Sequence, residues 1–188
     1  MEPICALCCK TITAENDTAE HIIPNSIGGR RTVKQFICIT CNSRTGETWD
    51  QELARQSHLL SVLLNIVRDR GSVPPLEISS VEGEKFKWHA DGKIEFAQPK
   101  YKQVQQGDKV SISMSAPNIG YAKKMLKGIT KKYPQVASEK FVENLKEVSI
   151  PAPLLQGSLQ FGGENGGRSL VKTMLAYAFY NGINPMIC

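Results

Sequence analysis

Glu20-His21-Ile22-Ile23-Pro24-Asn25-Ser26-Ile27-Gly28-Gly29 opens the stretch whose reading decides the fold, and Cys38-Ile39-Thr40-Cys41-Asn42 closes it. Arg30-Arg31-Thr32-Val33-Lys34-Gln35-Phe36-Ile37 joins the two. A second cysteine pair, Cys5-Ala6-Leu7-Cys8, stands upstream. Two pairs of soft sulfur ligands thus bracket a carboxylate, an imidazole and an amide.

The sulfurs come first. Cys5, Cys8, Cys38 and Cys41 have the spacing C-x2-C-x29-C-x2-C, and four thiolates suit a closed tetrahedral zinc site. In a reducing compartment two such pairs indicate a metal site rather than a disulfide framework. With four protein ligands no position is left for water, so this zinc is expected to be structural. Cys9 and Cys188 fall outside the pattern.

Local patterns around the cysteines predict a ββα order. Thr18 to Ile23 reads as a short strand carrying Glu20 and His21 and ended by Pro24. On a regular strand those two side chains point to opposite faces. Asn25 to Lys34 is glycine-rich and polar, hence a loop. Gln35 to Ile39 reads as the second strand. Asn42 or Ser43 has the chemistry of a helix N-cap, and Trp49, Leu53, Leu60, Leu63, Leu64 and Val67 keep a helical period to about Asp69.

Glu20 and Asn42 offer hard oxygens that suit Mg2+ or Mn2+ better than zinc. The His21 imidazole is a side chain able to take a proton from water. A divalent metal on the phosphate and an imidazole on the nucleophile is a set that cleaves phosphodiesters.

The run C-x2-C, E-H-I-I-P-x-S-x-G-G, C-x2-C-N-S-x-x-G over roughly residues 5–50 resembles the HNH endonucleases, which have a ββα-metal fold, in their four-cysteine zinc-stabilised form. The resemblance implies that His21 is the general base and that Glu20 and Asn42 ligate a catalytic Mg2+ or Mn2+. It also implies that Cys5, Cys8, Cys38 and Cys41 hold a structural zinc. The family's middle asparagine, which orients the base, has no counterpart here; Val33 and Gln35 stand in its neighbourhood. Asp50, two helical turns past Asn42, is a second carboxylate near the site.

After Arg70-Gly71 and Pro74-Pro75 the texture changes. Leu76–Val81, Lys85–His89, Ile94–Ala97, Tyr101–Val104 and Val110–Met114 read as strands of an antiparallel meander, with an Asp91-Gly92 hairpin turn. Asn118 to Tyr133 reads as an amphipathic helix with Lys123, Lys124, Lys127, Lys131 and Lys132 on its polar face. A further helix is expected from Ser138 to about Val148. The last, Arg168 to Tyr180, is apolar on most faces, so burial is expected.

The net charge is +5, and the first 70 residues hold eight basic and eight acidic side chains, so the excess lies beyond them. A modest positive balance permits a polyanionic partner. The longest mostly apolar run, His58 to Val67, is far short of a span of about 20 residues. The chain shows no signal-peptide pattern, which makes a cytoplasmic protein the expectation.

The expected fold is therefore α+β, with a ββα-metal module stapled by a four-cysteine zinc, a long helix, then an antiparallel meander with C-terminal helices. Residues 1–70 would form the nuclease module and 71–188 a domain that positions DNA or a partner. The expected activity is metal-dependent endonucleolytic hydrolysis of DNA, with Arg30, Arg31 and Arg44 flanking the site as phosphate contacts. The rivals are a non-catalytic zinc-ribbon nucleic-acid-binding module and a ligand-regulated nuclease effector of a defence system.

Overall fold

Phe36, Ile37 and Cys38 are consecutive and all buried, at 1%, 0% and 6% exposure. A strand with one solvent face cannot bury three neighbours in a row, because its side chains alternate. The second strand accordingly lies upstream of its expected place. In the computed structural model, which describes residues 2–107, 109–134, 142 and 145–184, β1 is Glu20–His21 and β2 is Thr32–Val33. They pair antiparallel, Glu20 opposite Val33 and His21 opposite Thr32. Gln35 takes φ +60° after β2, with its amide donating to Asp17 Oδ1 at 2.8 Å. That turn drives Phe36 inward.

The loop between β1 and β2 closes tightly on the strand. A Cβ on Gly29 would sit 1.6 Å from the Ile23 carbonyl oxygen, and Gly28 holds φ +97°. Both positions need glycine.

The helical run begins at Ile39, three residues before its expected start, with Cys38 as N-cap. It comprises α1 (Ile39–Thr45), a π-helical turn (Gly46–Asp50), α2 (Gln51–Gln56) and, after a break at Ser57, α3 (His58–Leu63). It ends short of Asp69 because Asn65 turns to φ +46°. The segment beyond it is free to fold back toward the N-terminal elements.

Two compact units divide the chain: Met1–Leu76 with His89–Gly92 and Ser158–Cys188, and Glu77–Trp88 with Lys93–Gly157. In the first, the core gathers Cys5, Ile12, Ile22, Val33, Phe36, Ile37, Cys38, Cys41 and Ala176, with Leu175 and Phe179 packed against it. Phe36 and Phe179 meet at 5.6 Å between ring centroids. Burying a side chain such as Phe36 contributes about 1.5–3 kcal/mol.

The second unit follows the expected meander closely. Its strands are β3 (Leu76–Ser80), β4 (Lys85–Trp88), β5 (Ile94–Phe96), β6 (Lys100–Gln106), β7 (Lys109–Ser115) and β8 (Leu155–Gln156). They form a sheet of order β5-β4-β3-β8 and a separate β6-β7 hairpin. Helix α4 (Ile119–Lys132) is capped by Asn118, whose side chain accepts from the Tyr121 amide. It buries Leu126 and exposes the five lysines. The helix expected from Ser138 lies for the most part outside the described residues. No described helix is long and apolar enough to cross a membrane.

The last helix, α5, runs Gly163–Tyr180, starting five residues before its expected first turn. Its burial follows its hydrophobicity only in part, since Ala176, Leu175 and Phe179 pack on the core. Gly166, Ser169, Lys172 and Ala176 face inward, whereas Leu170, Val171, Met174 and Tyr177 are more than half exposed. The reason lies in the site that this inner face touches.

Candidate active site

The cysteine knuckle is built by short backbone contacts. The Cys5 amide donates to the Lys10 carbonyl, the Cys9 amide to the Cys5 carbonyl and the Ala6 amide to the Phe36 carbonyl, all at 2.8–2.9 Å. These bonds fold Cys5 and Cys8 over the turn that presents Cys38 and Cys41. All four Sγ atoms lie within 4.8 Å of one another, and Cys8 Sγ is 3.8 Å from Cys38 Sγ. A tetrahedron with Zn–S of ~2.3 Å separates its sulfurs by about 3.8 Å. The cluster therefore has the donor set and the dimensions of a structural zinc site. Burial pushes the Cys5 thiol up, but hydrogen bonds from the Cys38, Leu7 and Cys8 backbone outweigh it and bring the thiol down to about 7. Such bonds favour the thiolate that a metal binds.

Beside the knuckle, β1 and α1 enclose two clefts. The larger, of about 700 Å³, is lined by Thr18, His21, Asn42, Gly46, Asp69 and Arg70 among others. The smaller, of about 350 Å³, is lined by Glu20, His21, Asn25, Asn42, Gly46 and Asp50 among others. Glu20, His21 and Asn42 all line the smaller cleft, although a regular strand would send Glu20 and His21 apart. His21 and Asn42 stand where the two clefts adjoin.

Each of the three is held by named partners. His21, 8% exposed, has Nε2 at 3.2 Å from Asp69 Oδ2. Asp69 is itself clamped by Asn25. The Asn25 side-chain oxygen accepts from the amides of Asp69 and Arg70 at 2.9 and 3.1 Å, and its Nδ2 donates to the Arg70 carbonyl at 3.0 Å. The partner of His21 is thus Asp69 rather than Gln35, which is exposed. Asn42 lies inside α1 rather than capping it. Its Nδ2 donates to Thr18 Oγ1 at 3.0 Å, so Oδ1 is the atom of this side chain that could take a cation.

Glu20 is 4% exposed. Its Oε1 accepts from the Lys172 ammonium at 2.6 Å. Burial pushes its carboxyl up, and the attraction of Lys172 offsets this only in part. The hard donors present, one carboxylate oxygen and one amide oxygen facing a cleft, fit a divalent cation that keeps waters and takes the rest of its shell from a phosphate.

Arg30, Arg31 and Arg44 are all exposed. None of them lines either cleft, and the Arg31 guanidinium lies 5.9 Å over the Tyr180 ring. The arginine at the larger cleft is Arg70. Asp69, Arg70 and Lys172 carry no motif, and only the fold brings them to β1. Asn25 does sit in the motif, but nothing in its spacing says that it grips a loop 44 residues away.

Residues 5–58 match the family model described as HNH endonuclease. Over this segment the chain is similar to the HNH endonucleases. Its match ends within α3, so Asp69 and Lys172 both lie beyond it. Comparison with curated proteins and with solved structures returned no match.

Proposed function

We propose that the chain is a metal-dependent endonuclease that hydrolyses phosphodiester bonds in DNA at the Glu20–His21–Asn42 cleft. The observation that carries this reading is the convergence of a buried histidine, a carboxylate and an amide on one cleft of an HNH module.

His21 acts as the general base. With Nε2 facing the Asp69 carboxylate, the ring proton resides there and Nδ1 is the free acceptor. Nδ1 removes a proton from the attacking water, and Asp69 stabilises the imidazolium that results. Glu20 and the Asn42 oxygen would hold Mg2+ or Mn2+, which would supply positive charge to the scissile phosphate and leaving oxygen. Arg70 at the cleft rim meets the phosphate backbone, with Arg30, Arg31 and Arg44 contributing positive surface around the module. Contacts of this kind position the duplex without reading its sequence. Cys5, Cys8, Cys38 and Cys41 would hold a zinc that ties the N-terminal turn to the start of α1, a structural role outside the chemistry.

Purified protein incubated with supercoiled plasmid and Mg2+ or Mn2+ tests the reading. The wild type nicks or linearises the plasmid, and His21→Ala lowers the rate by about 10²–10⁴-fold, the usual worth of a general base. DNA binding without cleavage, or equal cleavage by His21→Ala, would replace it with a non-catalytic zinc-ribbon module.

A further inference from the structure

Lys172 is 1% exposed and lies on the inward face of α5, more than 110 residues beyond the HNH match. An ammonium has three donors, and here each is used. Nζ reaches Glu20 Oε1 at 2.6 Å, Asp50 Oδ2 at 2.5 Å and Thr45 Oγ1 at 3.3 Å. The Ser169 hydroxyl, one turn earlier, donates to Asp50 Oδ1 at 2.6 Å.

These contacts distinguish the two carboxylates. Asp50 has both oxygens engaged, one by Ser169 and one by Lys172. Glu20 has Oε1 engaged by Lys172, which leaves Oε2 as its ligating oxygen. The lysine's single positive charge offsets one of the two negative charges, so the group presents one net negative charge to the cleft.

Stability alone does not account for the arrangement. Replacing a buried ion pair by apolar residues of similar volume is often neutral or stabilising. The helix nevertheless turns Lys172 inward and leaves Leu170, Val171 and Met174 in solvent. Its inward side thus carries the lysine beside Ala176, Leu175 and Phe179, which pack on the core.

We propose that Lys172 is a positioning residue of the nuclease cleft: it sets which oxygen of Glu20 meets the divalent metal and retires Asp50 from ligation, so that the C-terminal helix completes an HNH site that residues 5–58 do not complete alone. The inference rests on the nuclease reading above. In chemical terms, Lys172 does for a metal-binding carboxylate what outer hydrogen-bond partners do for ligating side chains generally, an effect worth about 10–100-fold in affinity or activity.

The test uses the full zinc-replete chain and the double variant Asp50→Asn/Lys172→Met, which removes one charge of each sign, keeps the net charge of the cluster and leaves Glu20 without its ammonium partner. Mn2+ binding by calorimetry weakens by roughly 10–100-fold and kcat falls by a similar factor, with KM for DNA and zinc content unchanged. A folded double variant that binds Mn2+ and cuts like the wild type overturns the proposal. A second measurement needs no substitution. In 15N-lysine-labelled wild type, one equivalent of Mn2+ broadens the exchange-protected ammonium of the buried lysine before the surface lysines. If Mn2+ binds and that signal is untouched, the proposal is likewise wrong. Wild type that neither binds Mn2+ nor cuts overturns the nuclease reading itself, and the proposal falls with it. His21-dependent cutting with an indifferent double variant overturns the role of Lys172 alone.

Discussion

The cysteine cluster and the Glu20–His21–Asn42 cleft sit side by side, yet they are built on opposite plans. The cluster is closed: four sulfurs, three of them in buried cysteines, drawn from two short segments and tied by backbone hydrogen bonds within residues 3–38. The cleft is open, and its residues are held from a distance, His21 by Asp69 and Glu20 by Lys172. A site that only holds shape is able to close on itself. The open cleft, read above as a nuclease site, is instead held from behind, by partners wherever the chain returns to it.

That contrast orders the expected effects of perturbation. Removing the zinc is the largest. Structural zinc contributes on the order of 10 kcal/mol to small domains of this kind. Stripping it with chelator, or changing Cys38 to Ser, is expected to unfold the first unit, as circular dichroism and loss of amide protection would report. Retained structure in the zinc-free protein would mean that the cluster is ornamental.

Asp69→Asn comes next. It keeps the shape and removes the charge behind His21, so kcat drops on the order of tenfold, a fraction of what the base itself supplies. Zinc content and melting temperature stay put. Asn25→Ala is milder still. It loses hydrogen bonds worth about 1 kcal/mol each, all on exposed partners, and loosens Asp69 without removing it. A two- to threefold fall in kcat (about 0.5 kcal/mol in barrier) is expected, and a larger loss for Asn25 than for Asp69 would break the proposed chain of support.

How much of this was readable beforehand follows the same division. The two C-x2-C pairs and the E-H…C-N order point to the HNH resemblance because they fall in one recognisable order within residues 5–42. The meander strands are readable as short runs between turn residues such as Asp91-Gly92, and α4 from its lysine face opposite an apolar one; its Asn118 cap is a finding of the structure. Three things were not. The second strand was displaced because Phe36-Ile37-Cys38 is a buried corner, and apolar β-branched runs look the same in corners and strands. The helix end was overrun because Leu64 and Val67 keep the period past Asn65, whose positive φ no pattern announces. Finally, α5 was expected to bury its apolar faces. Its inner face instead carries Lys172 between the Glu20 and Asp50 carboxylates, while Leu170, Val171, Met174 and Tyr177 stay exposed, and no apolar period announces that pairing.

The most direct test of two sites on opposite plans is a metal count on one protein. Zinc-replete wild type, titrated with Mn2+ and followed by electron paramagnetic resonance, should bind one Mn2+ without releasing its zinc. Glu20→Gln should lose that Mn2+ site and keep the zinc. Zinc released by Mn2+, or a Glu20→Gln variant that binds Mn2+ as tightly as the wild type, would contradict the account.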